Sequence, residues 1–204
     1  MGWKTSMIVI NSDKNITPSE LLKSLKFQNF HHTGKSSFDE AIYPPEGMVY
    51  VGNYKNNIII CVEDLPFRFL DNYVSEAENI LCELFPDTEI CALVLHSVVN
   101  LWGYSVCKNS QKIRARAGSH ESGTMIEFGK PLPQETNLLS MSTVNADGNR
   151  IYRLQSSPND EYAEDQVGEN FVFELSSRYF GQSFASDDDF FEAQVEAYSY
   201  SSIS

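Results

Sequence analysis

The chain has 204 residues, 42% hydrophobic and 21% charged, an ordinary globular usage that excludes disorder as the dominant state. Its 28 acidic residues outnumber 15 basic ones, for a formal net charge of −13. A surface of that sign repels phosphate backbones and anionic lipid, so no nucleic acid and no membrane is expected as a partner, whereas a basic protein partner is compatible.

In chain order, Thr5 to Asn11 is apolar and β-rich and reads as a first, central strand. Thr17-Pro18-Ser19-Glu20 then predicts a helix start, with Thr17 as cap, Pro18 in the first turn and Glu20 completing a capping box. Residues from Lys26 to Gly47 show weak periodicity and many turn formers, and read as a long loop. Met48 to Asn53 and Asn57 to Glu63 form a predicted hairpin around Lys55-Asn56-Asn57. From Arg68 to Phe85, apolar residues recur at helical spacing and Pro86 follows, so one helix is expected there.

Glu89 to Leu95 is a further apolar strand. Leu101 to Lys108 and Lys112 to Ala117 form a second hairpin across Asn109-Ser110-Gln111, and Thr124 to Phe128 a strand closed by Gly129. Ile151 to Leu154 reads as a short strand, and Gln155 to Gln166 as an exposed acidic stretch. Gly168 to Phe180 predicts a helix stopped by Gly181, and the alternation from Phe191 to Ala197 a half-exposed strand. Consecutive hairpins point to an α+β fold. The expectation is a single domain over 1–204, with a mixed or mostly antiparallel sheet and about three helices packed on it.

Several motifs resemble functional signatures and fail on a required residue or context. Asn29 to Ser36 ends like a phosphate loop, but Asn29 stands where the first glycine belongs and a helix precedes it. Met1 to Ser6 spells a myristoylation pattern that runs directly into a predicted strand. Asn15-Ile16-Thr17 spells a glycosylation sequon, but Thr17 serves as a helix cap. Adjacent residues on an extended chain point apart, so neither His31-His32 as a chelating pair nor His96-Ser97 as a catalytic dyad is expected. Asp187-Asp188-Asp189 lacks calcium-loop spacing and reads as a solvated turn. Cys61, Cys82, Cys91 and Cys107 stand among apolar residues without C-x-x-C spacing, which points to reduced, buried thiols. No apolar run reaches the ~18 residues of a bilayer span, and the N-terminal run is too short for a secretory signal. A cytoplasmic location follows as an expectation. No metal, cofactor or catalytic residue is assigned.

Lys112, Arg114 and Arg116 are the main candidates. They alternate with Ile113, Ala115 and Ala117, which predicts three cations on one strand face of an otherwise acidic protein. Either neighbouring carboxylates neutralise them, the commoner outcome, or they receive an anionic ligand or partner, with His96 as a further candidate.

Read together, Met1-Gly2-Trp3-Lys4-Thr5, Val49-Tyr50-Val51-Gly52, Leu95 to Asn100, Glu127 to Pro133 and the helix from Gly168 to Gly181 resemble an uncharacterised bacterial family, a domain of unknown function. The resemblance departs at Trp3 and between Asn137 and Gln166. It implies a bacterial, single-domain protein and carries over no catalytic residue. The leading expectation is a non-catalytic binding or interaction protein that neutralises or scaffolds a protein partner. The alternative is an enzyme or small-anion binder using the Lys112, Arg114 and Arg116 face, with His96 and the segment from His31 to Gly47. The oligomeric state is left open.

Overall fold

A computed structural model describes residues 2–204; the lipidation pattern begins at Met1, which lies outside the described residues. The strands are β1 (Lys4–Ile10), β2 (Phe27–Gln28), β3 (His31–Ser37), β4 (Met48–Tyr54), β5 (Asn57–Val62), β6 (Glu89–His96), β7 (Leu101–Lys108), β8 (Gln111–Ser119), β9 (Gly123–Gly129), β10 (Ser142–Val144), β11 (Arg150–Tyr152), β12 (Tyr162–Ala163), β13 (Gln194–Ser199) and β14 (Ser202–Ile203). The helices are α1 (Pro18–Ser24), α2 (Phe38–Ala41), α3 (Glu76–Leu84), α4 (Pro133–Ser140), α5 (Glu164–Phe180) and α6 (Asp188–Glu192), with a short 3-10 segment at Leu65–Phe69.

Nine strands make one sheet in the order β3-β13-β4-β5-β1-β6-β7-β8-β9. Every pairing in it is antiparallel. The central strands are uninterrupted apolar runs because both of their faces are covered. Met7, Val9, Ile59, Leu93, Trp102 and Tyr104 enter one core, while Ile8, Ile10, Ile60 and Ala92 enter the other. Helices α2, α4, α5 and α6 pack in the first core, and α1, α3 and the Leu65–Phe69 segment in the second. Phe171, Val172 and Leu175 of α5 are fully buried, each contributing about 1.5–3 kcal/mol by area removed from water.

The antiparallel sheet matches the expected class, but six helices replace about three. The extra ones are short: α2 and α6 span four and five residues, too few to display a helical period. Helix α4 starts at Pro133 after an apolar residue, so it lacks the usual polar cap signal. The expected helix from Arg68 to Phe85 begins only at Glu76, where Ser75 and Glu78 form a reciprocal capping box. Half of the loop expected between Lys26 and Gly47 is the edge strand β3 and α2, which docks Phe38 and Ala41 in the core. Residues 29–36 thus lie largely in a strand paired to β13, not in a phosphate-cradling loop. The strand expected from Phe191 starts at Gln194, after α6. Asp187 is buried, not solvated: it accepts from Tyr54 Oη at 2.7 Å and Lys55 Nζ at 3.1 Å.

Among the described residues, no helix is long and apolar enough to cross a membrane.

Candidate functional site

Strands β6 to β9 form an antiparallel meander at one end of the sheet, with α4 and α5 laid over it. Asn109 and Ser110, both at positive φ (49° and 55°), make the two-residue turn between β7 and β8. Just beyond it the register slips. Cys107 pairs with Lys112 but Val106 pairs with Arg114, so Ile113 is an extra residue on β8. A bulge of this kind resets the side-chain alternation. The three cations therefore do not share one face, as simple alternation predicts. Lys112 points into the core beneath α3, and Arg114 and Arg116 point into the core beneath α4 and α5.

Each cation meets a carboxylate. Lys112 Nζ is ion-paired with Glu78, the capping residue of α3, and donates to Phe69 O at 2.7 Å and Ser105 Oγ at 2.8 Å. Arg114 is 0% exposed and grips Glu135 of α4 through Nε at 2.9 Å and Nη2 at 2.6 Å, while Nη1 donates to the carbonyls of Phe128 and Gly129. Burial disfavours this guanidinium's charge, but the Glu135 hydrogen bonds together with the charges of Tyr104 and Glu135 and the Glu127 hydrogen bond outweigh it and push the Arg114 pKa up. Glu135 also accepts from Leu132 N at 2.9 Å, so one carboxylate caps α4 and neutralises β8.

Arg116 is ion-paired with Glu164 at the start of α5, and Glu127 Oε1 stands 3.8 Å from its Nε. Its guanidinium carbon lies 4.3 Å from the Phe171 ring centroid and 5.4 Å from that of Trp102. Nε and Nη1 have no hydrogen-bond acceptor, and the two ring faces supply the attraction that an acceptor would otherwise give. Tyr152 Oη accepts from Arg116 Nη2 at 3.3 Å and donates to Glu164 at 2.7 Å. Burial pushes the Tyr152 phenol up to about 12.

His96 is not part of this group. Along β6, Cys91, Leu93 and Leu95 face the arginine core, so His96 faces the opposite side, edge-on to Tyr43 at 6.0 Å. Ser97 donates to Glu169 at 2.8 Å and accepts from Trp3 N at 3.1 Å, engaged with neighbours other than His96. His31 and His32 sit on the far edge strand β3, where His32 Nε2 is 2.7 Å from Glu196. Among the described residues no cluster of three or more His, Cys, Asp or Glu side chains is arranged to hold a metal.

What reaches solvent above the buried arginines is acidic. A cleft of about 690 Å³ opens between the outer edge of β9 and the β10–β11 hairpin. Glu127, Glu164 and Asp165 line it, against the single cation Arg150, which donates to Ser142 Oγ at 2.9 Å. Glu127 is 41% exposed at its side chain, and Val144 on the hairpin is 63% exposed. Strand β9 ends the sheet, and nearly every residue on it is exposed. Sequence reasoning missed Glu127, Glu135, Tyr152 and Glu164. The one signal that pointed to them was the cation alternation itself, which demands acceptors somewhere.

The model of a family of unknown function, DUF6928, matches residues 17–143. The chain belongs to that family. The DUF6928 match runs from the cap of α1 into β10, so it includes β8 with its three cations, Glu78, Glu127 and Glu135. Tyr152 and Glu164, which complete the Arg116 environment, lie beyond it. No curated protein and no solved structure matches the chain.

Proposed function

We propose that this DUF6928 protein is a non-catalytic binding protein that takes an extended, basic segment of a protein partner along the outer edge of β9. The observation that carries this reading is the acidic cleft beside an open strand edge. An unpaired edge offers a ladder of main-chain donors and acceptors to an added strand, and the pockets beside it select side chains. Glu164 is held by Arg116, so the attraction for Lys or Arg at those positions rests on Asp165 and on Glu127, which leans on Arg114 yet keeps 41% of its side chain exposed. The exposed side chain of Val144, which lines the cleft, adds apolar contact.

The alternative, an anion held by Lys112, Arg114 and Arg116, has against it that each cation is buried and already paired with a carboxylate. An anion would have to displace Glu135 or Glu164 and pay for leaving that carboxylate unpaired.

Affinity capture from the native host, run in parallel with wild type and Val144→Lys and read by mass spectrometry, tests the proposal. Position 144 is exposed and lies outside the buried ion pairs. The expected result is a basic protein retained by wild type, released as ionic strength rises, and depleted about tenfold or more with Val144→Lys. Identical capture by both, or no specific capture by either, rejects the reading.

A further inference from the structure

Two of the four cysteines are placed differently from the others. Cys61 and Cys91 are each buried and hydrogen-bonded to no other thiol, and burial pushes their thiols well above the ordinary range. Cys82 of α3 and Cys107 of β7 face each other with their sulfurs 3.6 Å apart. Cys107 is fully buried, and Cys82 is 5% exposed. Three polar groups surround the pair. Ser110 in the β7–β8 turn faces Cys82, and Lys112 and Glu78 lie close to Cys107. The hydrogen bond with Cys107 pulls the Cys82 thiol below its usual range, burial opposes it, and the Ser110 hydrogen bonds add to the lowering. The same contact, followed by burial, pushes Cys107 up. One sulfur is thus favoured as thiolate and the other as its proton-bearing neighbour.

We propose that Cys82 and Cys107 are a peroxide-sensitive dithiol that closes to an intramolecular disulfide between α3 and β7. The oxidant is a small hydroperoxide, the class of oxidant suited to a pair with so little exposed surface. The Cys82 thiolate attacks one peroxide oxygen: an S–O bond forms, the O–O bond breaks, and the departing oxygen leaves as hydroxide or alkoxide and takes up a proton. Cys107 then attacks the Cys82 sulfur. The S–S bond forms, the S–O bond breaks, and hydroxide leaves with the Cys107 proton as water. Two electrons pass from two thiols to the peroxide. An S–S bond is about 2.05 Å long, so the sulfurs must approach by roughly 1.5 Å, within reach of side-chain rotation and a small shift of α3. A dithiol reductant reverses the closure by thiol–disulfide exchange.

The test uses the full chain, natively folded, exposed to graded hydrogen peroxide and then alkylated after denaturation. The expected outcome is an intact mass lower by two hydrogens, loss of two of the four alkylatable thiols, and one cross-linked peptide joining Cys82 to Cys107. Dithiothreitol restores all four thiols, and the far-UV spectrum is unchanged throughout. Cys82→Ser and Cys107→Ser each abolish the cross-link; should either fail to fold, the wild-type peptide map decides alone. The inference is overturned if all four thiols survive, if Cys82 stops at sulfinic acid without a cross-link, if another pair or two molecules join, or if the cross-link forms only in urea.

Discussion

Arg114 has no exposed surface, yet it carries a full charge and spends its donors on Glu135, Glu127 and two carbonyls. Such a pair is weak support for stability as a unit, because desolvating both ions costs about what their attraction returns. Breaking it is a different matter. Glu135→Ala is expected to cost about 3–5 kcal/mol by leaving a buried guanidinium without its main acceptor. The joint replacement Arg114→Met with Glu135→Leu should recover most of that loss. Urea unfolding of the three proteins at neutral pH measures both; a Glu135→Ala cost within error of zero would refute the account. The alternation of Lys112, Arg114 and Arg116 was plain in the sequence, and so was the need for counter-charges. Their identity was not, because Glu135 and Glu164 lie 21 and 48 residues along the chain from the arginines they meet. The bulge at Ile113 was also hidden, since the slip exists only relative to β7.

At the scale of elements, α5 is decided by what it lies against. Its second turn passes over Trp102, and a Cβ at Gly168 would fall 2.0 Å from the indole. Only the absent side chain lets helix and strand approach this closely. Gly168→Ala is therefore expected to destabilise the protein by about 1–3 kcal/mol, even though alanine is the better helix former. A thermal melt should show a lower midpoint, whereas a rise would mean that Trp102 moves aside freely. Sequence periodicity placed the body of this helix and its Gly181 stop correctly, as it did α1 with its Thr17 cap. It overran at α3, because Leu70 at the end of the 3-10 segment packs on Gly103 and Val74 in the following loop packs on the core, at near-helical spacing. The capping box at Ser75 and Glu78 was the better boundary signal.

For the molecule as a whole, acid tests how the sheet and its covering helices are tied together. Glu89 at the start of β6 accepts from Arg178 Nε and Nη2 near the end of α5, each at 2.7 Å, and from Tyr179 Oη at 3.2 Å. The Arg178 hydrogen bonds hold the Glu89 carboxyl below its usual range although burial opposes them. A depressed folded pKa means that the contribution is complete above the unfolded value of about 4.3 and is lost as pH falls through the folded one. Glu89→Gln should thus flatten the acid limb of stability against pH, with the curves converging towards lower pH. Parallel curves across that window, from denaturant midpoints at each pH, would contradict the assignment.

The sequence by itself determined an α+β fold with a mixed or mostly antiparallel sheet, two hairpin turns, two caps and the family. These depend on short apolar runs, turn chemistry and neighbours a few positions apart, which a linear pattern records. Tertiary structure alone decided where the charges point. Strand β8 is basic in sequence, but its bulge sends Lys112 to one core and the arginines to the other, and distant carboxylates close over them. The surface above that strand is consequently acidic. The Cys82–Cys107 contact was equally illegible, since 25 residues separate sulfurs that only the packing of α3 on β7 brings together. Long-range pairing is set by the packing of whole elements, and no local window of residues encodes it.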